Sequence, residues 1–517
     1  MKVHMNDSNQ RKYGAILSYA SIITSTLIQL LYTPFLIRML GQSEYGLYSL
    51  ANSIIGYLTI LDLGFGNAII VYTAKFRAAN NKESEKKLHG MFKIVFYIIS
   101  CFAIILGLVL YFNVENIFGK TMVEEELQKT KIMMLILTFN LGITFGFSIY
   151  SSIINAYEKF IFQKVIGIIS NILKPILMIP LLFLGFKSIA LTIVLTIANI
   201  IVLSSNYYYC RKKLKIKVKF NGFDKLLLKT ILGYSFWIFI ASIVDKINWN
   251  IDNFILGAVS GTIAVSIYSV AAQLNTLFIN LSTALSGVLL PKVSKMVEKN
   301  VTPEELSSEF IKIGRIQFYI IFLMCSGLVI FGKKFLDLWV GDSYKDSYYI
   351  ALILIIPVCF PLIQNLGISI MQAMNKYKFR SISMLIMAII NIIISIFFAQ
   401  LYGAIGAAIG TGLSLIVCNV IIMNIYYYKV IKLNVIKFWK NIISMTIKLM
   451  IPIGIILVII YLFGTFNLSN IVFLIILIPL YCLLYCVVCY FLVMDNYEKS
   501  FISNILKKVL QIRYKKD

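Results

Sequence analysis

Six polar residues interrupt one long apolar stretch, and their types could bind both anions and cations. Between Tyr234 and Tyr268 the chain reads YSFWIFIASIVDKINWNIDNFILGAV before continuing, which places Asp245, Lys246, Asn248, Asn250, Asp252 and Asn253 inside a run of membrane length. A charge at the bilayer centre costs at least about 2.5–3.5 kcal/mol on insertion scales. Asp245 and Asp252 are two helical turns apart, so they share one face with a separation of roughly 10 Å along the axis. Such a face is expected to line a polar cavity rather than meet lipid. There Lys246 could offset an anionic guest, and the aspartates could hold a cation, act as counter-charges or hydrogen-bond neighbouring helices.

Other spans carry similar groups. Arg38, Asp62, Asn67 and Lys174 fall in apolar runs, Lys174 beside Pro175. Gln273, Thr276, Asn280 and Thr283 follow intervals of three, four and three, one face of a helix. Lys174 and Lys246 are the strongest anion candidates because both fall near mid-span, with pairing to Asp62 or Asp245 as the competing reading. Arg38 is near a span end and could snorkel. For Asn248, Gln273 and Asn280, interhelical hydrogen bonding competes with ligand contact.

The elements that position these residues are membrane helices. The chain is 59% hydrophobic and only 14% charged, with apolar residues in blocks of twenty or more, which excludes a soluble domain and an alternating β-barrel. The fold class is therefore an all-α polytopic membrane protein. We read fourteen spans, near 14–40, 45–73, 91–112, 131–155, 161–184, 187–209, 231–258, 262–290, 311–332, 346–373, 379–401, 404–428, 441–463 and 468–493. The net charge of +25 sits in loops, and alternate loops differ in Lys and Arg by roughly five to one. That asymmetry puts both termini in the cytoplasm and argues against nucleic acid as a partner. Residues 1–13 are polar and no cleavable signal is expected.

The chain also repeats. FLIRMLGQSEYGLYSLA (35–51) resembles FILGAVSGTIAVSIYSVA (254–271), and NAYEKF (155–160) resembles QAMNKYKF (372–379). The expected organisation is a segment 1–13, an N-lobe 14–210, a basic linker 211–230, a C-lobe 231–428, a peripheral pair 429–494 and a basic tail 495–517. Parallel six-helix repeats of this kind are transporter architecture. FLDLWVGDSY (335–344), with Trp339, is expected to anchor at the outer interface, and Trp237 and Trp439 at the inner one.

Several classes are disfavoured. No GxxxxGK[ST] loop is present, and no loop is long enough for a catalytic domain. His4 and His89 are far apart, and the eight cysteines lie in apolar runs without neighbouring carboxylates, so no metal, cofactor or catalytic residue is expected.

TPFLIRMLGQSEYGLYSL (33–50), LDLGFGNAI (61–69), Asp252 to Gly257, Ile267 to Ala271, Pro291 and Leu338 to Gly341 resemble the Wzx-type polysaccharide flippases. These belong to the multidrug/oligosaccharidyl-lipid/polysaccharide exporter superfamily, with a MATE-like fold. The resemblance runs from about residue 14 to 430. It implies alternating access that carries undecaprenyl-pyrophosphate-linked oligosaccharide across the bacterial cell membrane, with a polysaccharide polymerase and chain-length proteins as partners. In that setting Arg38, Lys174 and Lys246 would meet the pyrophosphate, and Asn248, Gln273 and Asn280 the glycan. Asp62, Asp245 and Asp252 would serve a coupling ion or balance charge. A flippase for the peptidoglycan lipid precursor, a cation-coupled exporter of the same fold, and a membrane enzyme of glycan assembly are the alternatives.

Overall fold

A computed structural model describes residues 7–463, except 217, 219, 221, 287–295, 300 and 375, together with 470–500 and 503. The side chains of Asp245, Trp237 and Thr283 lie outside the described residues. All regular structure among the described residues is helical. In chain order the helices are α1 (Asp7–Leu40), α2 (Gln42–Leu58), α3 (Phe65–Ala78), α4 (Lys82–Phe112), α5 (Val114–Phe118) and α6 (Glu124–Ala156). They continue with α7 (Phe160–Phe183), α8 (Ser188–Tyr208), α9 (Lys225–Val259), α10 (Gly261–Ser286) and α11 (Pro303–Trp339). The last are α12 (Lys345–Ile363), α13 (Asn365–Ala373), α14 (Lys378–Leu415, continued to Ile431 by π-type turns around the short helix Met423–Tyr426), α15 (Val435–Phe463) and α16 (Asn470–Val488).

Local chemistry sets the ends. Asn81, Asp224 and Thr302 each accept a backbone N–H in the first turn of α4, α9 and α11, and Pro303 follows Thr302 where its missing donor costs nothing. Gly403, with φ 56° and ψ −133°, breaks α14 into two passages, a conformation only glycine adopts readily.

Twelve helical stretches among the described residues are long and apolar enough to cross a membrane. One of them, Lys378–Ile431, is 54 residues long and is divided at Gly403, as the spans 379–401 and 404–428 require. The charged α9, 35 residues long, is not among the twelve, although it is one continuous helix. Counting that helix and both passages recovers the fourteen-span plan.

The described residues form two compact units, Met1–Gln273 with Ser381–Ser414, and Leu274–Arg380 with Leu415–Asp517. This division by packing is distinct from the sequence repeat, because α9, the first half of α10 and most of α14 belong to the first unit.

In the first unit, α6 packs on α4 and α8, α1 on α7, and α2 on α6 and α9. Small residues permit the closest approaches. A Cβ on Gly107 would stand 2.4 Å from the Thr138 side chain, and one on Gly46 would stand 1.9 Å from the Thr262 carbonyl oxygen. Helices in lipid gain from such proximity because lipid tails are as apolar as the side chains, which leaves close packing to drive association.

In the second unit, α11 packs on α12, α15 and α16 around an aromatic core that includes Phe310, Tyr319, Phe331, Tyr427, Phe438 and Tyr481. The closing pair α15 and α16, read from sequence as peripheral, therefore supplies much of this core. Trp339 departs from expectation as well. It is 7% exposed and stacked on Phe335 at 5.5 Å, so it packs within the protein instead of presenting its indole to an interface. Trp439 Nε1 donates to Asn424 Oδ1 at 2.8 Å, an internal bond.

Candidate functional site

The first unit holds the most demanding polar cluster. Asp252 on α9 is 1% exposed. Its Oδ2 accepts from the Tyr268 hydroxyl and from Thr411 Oγ1 at 2.7 Å. Thr411 is in turn linked to Asn391, whose Nδ2 donates to Thr411 Oγ1 at 3.1 Å, and Ser395 Oγ donates to Asn391 Oδ1 at 2.9 Å. Asn391 and Ser395 are one helical turn apart on the first passage of α14, and Thr411 is on the second. Gly410 allows the two passages to touch here, since a Cβ on it would stand 2.4 Å from Ser395 Oγ.

Asp252 Oδ1 has no hydrogen-bond partner among the described residues, and neither does the nearby buried Tyr57 hydroxyl. A buried carboxylate facing hydroxyls and amides, with no ion pair among the described residues, has spare capacity for one cation or proton. Asn391, Ser395 and Thr411 were missed at the sequence level. Each alone resembles an ordinary interhelical hydrogen-bonding residue, and only the i, i+4 spacing of the first two hinted at a shared face.

The other expected residues fall into distinct groups. Asn248, one turn before Asp252, is buried. Lys246 is half-buried. Asn253 Nδ2 donates to Ser53 Oγ at 2.9 Å and its Oδ1 accepts from Ser269. Gln273 Nε2 donates to Thr33 Oγ1 at 2.7 Å, and the Tyr45 hydroxyl donates to Gln273 Oε1 at 3.5 Å. Gln273 thus ties helices together within the unit. Asn280 is exposed and belongs to the second unit.

Asp62 stands at the break between α2 and α3, where Leu63 and Gly64 turn left-handed. Its carboxylate accepts the backbone N–H groups of Gly64 and Gly66, which would otherwise be stranded by the interruption. That role is structural and leaves Asp62 without a bond to Lys174. Among the described residues Lys174 has no ion-pair or hydrogen-bond partner, although it is half-buried within α7. Arg38 is exposed in the last turn of α1. The structure therefore brings Asp252 into one network with residues from α10 and α14, and keeps Asp62 apart from it.

A second cluster was not foreseen. Glu44, buried at the start of α2, accepts from Lys129 Nζ at 2.5 Å and from the backbone N–H of Ser188 at 3.2 Å. Beside it in sequence, Ser43 bonds to Glu126, which also accepts from Thr262 Oγ1 at 2.9 Å. Four helix starts, those of α2, α6, α8 and α10, are tied by these contacts.

A family model described as "Polysaccharide biosynthesis protein" matches residues 12–297. A Shigella flexneri protein described as "Putative O-antigen transporter" is 24% identical over 408 residues, which cover 78% of this chain and 94% of that protein. The capsular polysaccharide biosynthesis protein CapF of Staphylococcus aureus is 28% identical over 233 residues, 43% of this chain and 55% of CapF. Among solved structures, the lipid II flippase MurJ in an inward closed conformation aligns over 93% of this chain and 97% of its own, with TM-score 0.68 and 21% identity. An inward-facing MATE-family multidrug transporter of the MOP superfamily aligns over 76% and 96%, with TM-score 0.58 and 15% identity.

Proposed function

The chain belongs to the polysaccharide biosynthesis protein family, and from that premise we propose that it is a flippase for lipid-linked oligosaccharide repeat units. It is a transporter and not an enzyme. The cargo we assign is an undecaprenyl-pyrophosphate-linked repeat unit, moved from the inner to the outer leaflet of the bacterial cell membrane by alternating access. Both termini are cytoplasmic in this reading, as the loop charges favour. The repeated lobes 14–210 and 231–428 are its moving parts, and a polysaccharide polymerase with chain-length proteins receives the product.

The observation that carries the reading is Lys174, a cation inside an apolar helix without an ion pair among the described residues. An isolated ammonium in such a place is costly unless a guest supplies negative charge, and a pyrophosphate supplies it. Lys246 and Arg38 are assigned to the same anion, and Asn248 to the glycan. Gln273, held by Thr33 and Tyr45, shapes the surface more than it grips cargo.

Energy enters through Asp252. Its unsatisfied Oδ1 is suited to take up a proton or a small cation in one conformation and release it in another, which links an ion gradient to the conformational change. We assign the coupling role to Asp252 ahead of Asp62, whose oxygens are occupied by backbone donors, and ahead of Asp245.

The test is to delete the protein, identify the lipid-linked intermediate that accumulates on the inner leaflet, and restore the chain with Lys174→Ala or Lys246→Ala. Accumulated repeat-unit precursor is expected, with surface glycan lost in both variants while membrane insertion is kept. Full complementation by both variants would remove the anion assignment. Accumulation of the peptidoglycan precursor instead would transfer the cargo to the lipid II class.

A further inference from the structure

Outside the region that carries Lys174 and Asp252, the second unit holds a cavity of about 1000 Å³ where the N-terminal turns of α11 and α15 meet the segment between α14 and α15. Its lining includes Lys312, Arg315, Lys429, Lys432 and Lys437, against Glu304 and Asp495. Two of the five cations are committed. Arg315 donates to both oxygens of Glu498 at 2.7 and 2.8 Å, and Lys312 lies 5.1 Å over the Tyr497 ring and 3.9 Å from Glu309. The ammonium groups of the remaining three, Lys429, Lys432 and Lys437, have no ion-pair or hydrogen-bond partner among the described residues.

These three lysines sit on a fixed frame. Lys432 is held left-handed at φ 65°. The Asn434 backbone N–H donates to Ser307 Oγ at 2.9 Å, and Ser307 Oγ donates to the Pro303 carbonyl at 2.7 Å, which bolts this segment to the first turn of α11. Asn434 Oδ1 accepts the Lys437 N–H and caps α15. Both helix starts add partial positive charge on the same side.

One margin of the cavity is apolar. Ile436 is 67% exposed and Tyr428 54% exposed, and exposed Ile443 and Ile447 continue from Ile436 along one face of α15 at intervals of seven and four. A soluble anion would have no use for that strip. An amphiphile would, with its charge among the lysines and its chains along α15.

We propose that this cavity binds the phosphodiester headgroup of an anionic phospholipid of the inner leaflet, such as a phosphatidylglycerol. The site rests on the cytoplasmic placement of the loops argued above and is independent of the transported cargo. Basic pockets among helix ends on the cytoplasmic side suit such headgroups, each lysine near an anionic surface adding roughly fivefold to affinity.

The test uses the full chain in neutral detergent, with native mass spectrometry and thermal melting as readouts. Phosphatidylglycerol is expected to remain bound and raise the melting temperature, whereas phosphatidylcholine of the same chains and inorganic phosphate are not. The combined variant Lys429→Gln, Lys432→Asn, Lys437→Gln should weaken phosphatidylglycerol retention by about 10- to 100-fold, with the loss shrinking as salt rises. Lys212→Gln with Lys213→Gln, a basic pair elsewhere, should retain it. The single variant Lys429→Gln should lose roughly fivefold and stands in if the combined variant does not fold. Unchanged retention in the lysine variants, equal loss in the Lys212 and Lys213 control, or equal protection by inorganic phosphate would each overturn the assignment.

Discussion

Asp252 in the first unit and Glu498 in the second are both buried carboxylates, and their surroundings are opposite in kind. Glu498 is saturated. Arg315 meets it with two N–H groups, the Tyr319 hydroxyl donates at 2.9 Å, and the Asp495 backbone N–H donates at 2.9 Å. Burial alone would raise its pKa, but these donors, with the Arg315 guanidinium foremost, hold the carboxyl below the usual range. Asp252 meets only uncharged donors, and one of its oxygens is unsatisfied among the described residues. A carboxylate whose charge is fully matched is a staple, whereas one left partly unmatched can exchange what it binds.

Substitutions can break that contrast, and the largest effect is expected at Asp252. Asp252→Asn should lower flippase activity by about 100-fold or more, roughly the weight of one preorganised charge interaction, with little change in melting temperature. Transport in proteoliposomes with the gradients imposed and then collapsed would check it. Wild-type activity in the asparagine variant would remove Asp252 from coupling.

Glu498→Gln should do the reverse. Removing one partner strands the Arg315 charge, so stability should fall by about 2–3 kcal/mol while activity per folded molecule is retained. Melting curves paired with complementation would separate the two outcomes. The pH dependence sharpens this prediction. Because the folded-state pKa of Glu498 is depressed, its contribution is complete above the unfolded value of about 4.3 and is lost as pH falls through the lower folded value. The stability gap between wild type and Glu498→Gln should therefore be flat near neutrality and close below about pH 4. A gap that widened on acidification would contradict the pairing.

Gly410→Ala is a smaller perturbation. Its Cβ would meet Ser395 at 2.4 Å from Oγ and 2.8 Å from Cα, so the passages of α14 must separate, at a cost of about 1–3 kcal/mol. Activity should fall with stability, since Ser395 and Thr411 both shift relative to Asp252. Thr411→Val should have the mildest effect, about 1 kcal/mol for one hydrogen bond, read as a modest change in the gradient dependence of transport.

The helices were legible because apolar blocks and basic loops follow directly from the bilayer as solvent. Asp252 was legible for the same reason, since a carboxylate within an apolar run stands out against its neighbours. Its partners were not. Asn391, Ser395 and Thr411 are small and uncharged, tolerable in any span, and acquire meaning only when two passages bring them together. Asp62 stood out equally but is occupied by the backbone of a broken helix, an interruption within a run that reads as one continuous span over 45–73. Trp339 followed the rule for interfacial aromatics and still turned inward, because Phe335 one turn away offered it a stacking partner. The Lys429 to Lys437 cluster was counted only as loop charge, because the Asn434 to Ser307 bond that holds it beside α11 joins residues 127 apart in sequence.

The turn at Gly403 carries a consequence for biogenesis. With so little chain between its two passages, residues 378–431 should enter the bilayer as one hairpin, and Asn391, Ser395 and Thr411 can find one another at that moment. The receptor for the Asp252 carboxylate is then prefabricated during synthesis. The older helix, made more than a hundred residues earlier, has only the Tyr268 hydroxyl for its carboxylate until the hairpin arrives, and that interval is when an insertase would have most to protect.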